Sequence, residues 1–120
     1  MGVELAVTFP DKRVPPWPQA AALLAGRGVA VQMRMIDGEL AFPDEEPPEA
    51  WREIRVASGG AMITIRRGDG SVTLVGWGNM DESQKRLWHA LAWAFASAGG
   101  GLVGPEGLTA EAFAQQGGLA

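Results

Sequence analysis

One helix is written into this chain more firmly than any other element. Asp81 stands before Glu82-Ser83-Gln84, a carboxylate at the N-cap with a glutamine three positions on, so that each side chain can satisfy the other residue's orphan amide. Apolar residues then run from Leu87 to Ala98, and Gly99-Gly100-Gly101 stops them, because glycine takes the left-handed conformation past a helix end at no steric cost. At 100° per residue, Trp88, Leu91, Ala94, Phe95 and Ala98 fall in one wide stripe that must be buried against a neighbour. His89 and Trp93 fall on the other side, near Arg86.

The chain before this helix is written mainly in period two, the spacing of a half-buried strand. Val3, Leu5, Val7 and Phe9 alternate with polar or small residues until Pro10. Pro15-Pro16-Trp17-Pro18 makes a stiff connector, and Pro18 suits the first turn of a short helix through Ala20–Ala25, closed by Gly26 and Gly28. Val29, Val31, Met33 and Met35 alternate next and lead into Asp37-Gly38, a type I′ hairpin signal. If Ile36 pairs with Glu39, Met35 faces Leu40 and Met33 faces Phe42 on one apolar surface.

Pro43 to Ala50 reads as a loop. Trp51 to Ala57 fits a strand through Ile54 and Val56, with a helix as the alternative. Ser58-Gly59-Gly60 is a turn, Met62–Arg66 a strand with Ile63 and Ile65 on one face, and Gly68-Asp69-Gly70 a second hairpin turn into Ser71–Trp77. Leu102-Val103 is either a short strand or a packed loop. Thr109 caps a last helix, Ala110–Gln116, and 117–120 forms a frayed tail. Short links between the middle strands imply an antiparallel meander. The expected fold is α+β, a two-layer domain: an antiparallel sheet of about five strands, with one long and one or two short helices packed on one face.

A length of 120 residues fits one domain, and the 47% hydrophobic and 20% charged fractions are those of a globular protein. With no cysteine, disulfides, thiolate metal sites, iron–sulfur clusters and thiol nucleophiles are excluded. A net charge of −4 argues against nucleic acid, whose binding relies on clustered cations. No apolar run is long enough for a membrane span. Met1-Gly2-Val3-Glu4 lacks the basic start of a secretory signal, so the expected location is the cytoplasm.

Chemistry has few places to reside. His89 is the only histidine, and a general base needs an orienting partner and a nucleophile to serve. Neither is evident. Seven of the fourteen acids, including Asp44, Glu45, Glu46 and Glu49, lie between Asp37 and Glu53. Their order does not match the fixed ligand positions of a calcium loop, so no metal is expected. Arg52, Arg55, Arg66 and Arg67 form a counterweight, suited either to an anionic group or to neutralising the acidic loop. Arg67-Gly68-Asp69 spells an adhesion tripeptide, but turn geometry alone explains it. Trp17 and Trp51 sit beside prolines, where they pin connectors to the core.

Three functional expectations follow. The first is a non-catalytic interaction protein of antidote or immunity type. It would bind a basic protein partner through Asp44, Glu45, Glu46 and Glu49, with His89 and Trp93 as a second contact patch. The second is a small-molecule domain with an apolar pocket lined by Met33, Ile63, Trp77 and Trp88. The third is an enzyme built on His89. No cofactor is expected. An exposed edge strand and Trp93 are compatible with a homodimer.

Overall fold

The computed structural model describes residues 2–77 and 81–116, with side chains from 4 to 76 and from 81 onward. In chain order the elements are β1 (Gly2–Thr8), α1 (Trp17–Gly26), β2 (Gln32–Ile36), β3 (Glu39–Leu40), β4 (Glu53–Ser58), β5 (Ala61–Gly68), β6 (Ser71–Trp77), α2 (Glu82–Gly99), β7 (Leu102–Val103) and α3 (Ala110–Gln116). The strands form one antiparallel sheet in the order β3-β2-β4-β5-β6-β1-β7. The helices cover one face, giving two layers.

Among the described residues the sheet has seven strands, more than the sequence suggests. Residues 53–58 are a strand and not a helix, and Leu102-Val103 pairs with Thr8 and Val7. The first strand closes the meander by lying against β6 in full register, from Gly2↔Trp77 to Thr8↔Ser71. The tail at 117–120 lies outside the described residues.

Local signals set the element ends. The Asp81 carboxylate accepts from the Gln84 amide at 2.8 Å, and Gln84 Oε1 accepts from the Asp81 amide at 3.2 Å. Gly100 ends α2 at φ 64°. Thr109 Oγ1 accepts from the Ala112 amide at 3.2 Å and starts α3. Asp37 and Gly38 turn the β2–β3 hairpin at φ 50° and 85°, the double positive φ of a type I′ turn.

That hairpin holds the register expected at Ile36↔Glu39 and Met35↔Leu40, but not beyond it. Against β4 the register slips at Arg34, so that Met33 opposes Val56 and Met35 opposes Arg55. One extra residue in a strand turns the following side chain to the other face. Met33 therefore points into the core, Met35 lies on the outer face, and Phe42 is left 74% exposed. The expected Met33–Phe42 apolar pair does not form.

Between the layers lies a single core in which Ile54, Val56, Ile63, Ile65, Val72 and Leu74 meet Leu87, Leu91 and Phe95. Trp17 and Trp51 are both buried against Phe95, with ring centroids 6.0 and 6.4 Å away. Helix α2 is buried over more than the stripe read from its sequence, since Ala90, Ala92 and Ala96 are enclosed as well. The cause is its central position: both α1 and α3 pack against it, besides the sheet.

Candidate functional site

The acidic segment between β3 and β4 is shaped by its prolines, which lack an amide hydrogen and cannot extend a ladder. The chain turns instead. Glu45 donates its amide to the Phe42 carbonyl at 3.0 Å, and its Oε1 accepts from the Phe42 amide at 3.2 Å. The Met33 amide donates to the Pro43 carbonyl at 3.0 Å and ties the turn to β2.

Facing this turn is the start of α1, which Pro18 fixes in its first turn. The space between is an open cleft of about 340 Å³. Trp17, Ala21, Val31 and Met33 form its floor, and Asp44, Glu45 and Glu46 its rim, with no Lys or Arg among the lining residues. Trp17 is only 7% exposed, so the floor is anchored in the aromatic core. Glu49 is exposed on the same loop but does not line the cleft.

Three of the four arginines expected to neutralise this loop are engaged elsewhere. Arg66 Nε pairs with Glu53 at 2.8 Å. The Arg67 guanidinium lies over the Trp51 ring at 5.0 Å. Arg55 Nε donates to Thr64 Oγ1 at 3.3 Å. Among the described residues, no ion pair forms at Asp44, Glu45 or Glu46.

An apolar floor under unpaired carboxylates suits a lysine or arginine side chain. Its aliphatic stem can lie on Trp17 and Met33 while its charge stays among the acids. Attraction over 4 Å grows from about 1 kcal/mol in water to about 4 kcal/mol beside a low-dielectric wall.

His89 and Trp93 lie apart from this cleft and are spent on packing between helices. His89 stacks on Phe113 of α3 at 5.1 Å and meets Trp88 edge-on at 5.5 Å. Its Nδ1 is buried with no hydrogen-bond partner among the described residues, and burial lowers its pKa below the usual 6.5. Trp93 is half-buried under the Arg27 guanidinium, 4.4 Å from the ring centroid. The structure thus does not join them to Asp44, Glu45 and Glu46 in one surface.

Of the four residues considered for an apolar pocket, the three with described side chains are taken up by the core. Ile63 and Met33 are buried in the core, though Met33 also reaches the floor of the acidic cleft. Trp88 Nε1 donates to the Leu74 carbonyl at 3.0 Å, tying α2 to β6. The side chain of Trp77 lies outside the described residues. Among the described residues no three His, Asp or Glu side chains gather as a metal site would require. Among the described residues no helix is long and apolar enough to cross a membrane.

Sequence reading found the acids of the cleft but not Val31, Ala21 or the placement of Trp17 beneath them. Nothing local in the chain announces that α1 and β2 converge there. Comparison with known protein families, with curated proteins and with solved structures finds no match.

Proposed function

We propose that this chain is a non-catalytic interaction protein that captures a basic protein partner by seating a Lys or Arg side chain in the acidic cleft. The supporting observation is the convergence of Asp44, Glu45 and Glu46 on a cleft floored by Trp17 and Met33, with no cation lining it. The turn held by Glu45 fixes the rim before any partner arrives, which lowers the ordering cost of binding. Complementary charge would speed the encounter and reject acidic competitors. An antidote that neutralises a basic effector is one concrete form, offered on class analogy alone. The cytoplasm is the proposed setting, since a cysteine-free fold needs no oxidising compartment.

The test is a double charge reversal, Asp44→Lys with Glu46→Lys, which spares the Glu45 carboxylate that holds the turn. Wild-type and variant protein are titrated with Lys- and Arg-rich peptides by calorimetry, and both are used as bait in the native host's lysate. The variant is expected to bind the peptides at least about tenfold more weakly and to lose the partner. Equal binding by both proteins would remove the acidic cleft from any role in recognition.

A further inference from the structure

The sheet face away from the helices carries a second groove, about 460 Å³ in volume, beside the β3 edge. Met35, Leu40 and Met62 give it an apolar surface, and Arg34 and Arg55 are its only charged lining residues. Its apolar groups are unusually bare: Leu40 is 88% exposed and Met62 43%. Phe42, two residues beyond Leu40, is the other large apolar side chain left open among the described residues. Contiguous exposed apolar groups rimmed by charge mark an interaction surface rather than an ordinary exterior.

The geometry points to a second copy of this chain as the occupant. The groove calls for an apolar anchor followed by acids, and the chain displays that arrangement itself. Exposed Phe42 is followed by Pro43-Asp44-Glu45-Glu46, whose carboxylates have no ion-pair partner among the described residues. Leu40 and Ala41 line the groove and residues 42–46 follow them directly in the chain, so a two-fold axis near Ala41 would allow both exchanges at once. The turn of each copy enters the groove of the other, as an isologous contact requires.

Arg34 serves this contact because it follows buried Met33 and is exposed, and the register slip brings Met35 to the same outer face. Arg55 is steadied by its bond to Thr64. The inference goes beyond the basic-partner reading and does not depend on it, although both use the acidic turn. Self-association would cover the turn and compete with a basic partner.

Molar mass measured by light scattering across a concentration series tests the proposal. Wild-type protein is expected to reach dimer mass, and to dissociate as salt is raised. Leu40→Asp and Arg34→Glu change side chains that are exposed, so folding and Tm should be unchanged. Each should weaken the dimer at least about tenfold. The Asp44→Lys/Glu46→Lys variant should be monomeric alone, and mixing it with Arg34→Glu should restore a mixed dimer by pairing each reversed charge with its complement. Leu40→Asp leaves the acidic cleft intact, so it should lose self-association and keep binding to basic peptides. That separates failure of this proposal from failure of the previous one. A wild-type chain that stays at monomer mass at its highest soluble concentration would overturn the proposal. So would a dimer indifferent to these changes, or the absence of restored association on mixing.

Discussion

Asp37 does more than turn a hairpin. Its carboxylate accepts from the amides of Arg52 at 2.8 Å and Glu53 at 3.0 Å, while its own amide donates to the Glu53 carbonyl at 2.8 Å. One residue therefore sets the turn and pins the start of β4 beside it. Those two amide bonds hold its carboxyl below the usual 3.8. A lowered carboxylate pKa contributes stability that is complete above the unfolded value and is lost as pH falls through the folded one. Asp37→Asn, which tolerates the positive φ, is expected to cost about 1 kcal/mol at neutral pH. It should also flatten the fall in stability below about pH 4, as denaturant titrations at several pH values would read. His89 acts at a higher pH, because burial favours its neutral form. The unfolded chain then takes up the proton first, so stability is full above the unfolded value of 6.5 and declines as pH drops beneath it. His89→Phe keeps a ring against Phe113 and should remove the part of the Tm decline that sets in just below neutrality.

At the scale of elements, α2 is both the best-announced segment and the most tightly fitted. A Cβ added at Gly99 would lie 2.7 Å from the Phe9 ring and 2.9 Å from Pro15. Gly99→Ala is therefore expected to destabilise the fold by about 1–3 kcal/mol, far more than alanine's better helix propensity returns, and chemical denaturation would show it. Asp81→Ala, which removes the cap bond to Gln84, should cost about 1 kcal/mol. Cap, glycine stop and hairpin turns were legible in the sequence because each depends on residues within a few positions of one another. The register slip at Arg34 was not, since Met33-Arg34-Met35 reads as ordinary alternation and only pairing with β4 reveals the extra residue. The packing of His89 and Trp93 was hidden for a similar reason. A helical wheel assumes one buried side, whereas α1 and α3 both pack against this helix besides the sheet.

For the whole molecule, charge placement matters more than the net −4. The acids of the 44–46 turn border one cleft, and the Arg34–Arg55 groove opens beside the same edge strand. Encounter with a basic partner should slow as ionic strength rises, since the screening length shortens to about 8 Å at 0.15 M salt. Stopped-flow association at graded salt would read this, with Asp44→Lys/Glu46→Lys losing most of the dependence. The acidic half of the cleft was legible because charge density is a property of the linear chain; its floor was not, because it joins residues from positions 17 and 33. The sheet's two borders also set how copies can meet. β3 and β7 are two residues long each, and beyond β3 the Ala41 amide and the Pro43 carbonyl occupy the outer groups of Arg34 and Met33. Fibril growth recruits a long, flat row of unpaired amides, and among the described residues the β3 border does not offer one. Crowded copies of this chain that meet at the β3 border should consequently meet side chain to side chain and come apart again, without templating stacked fibres.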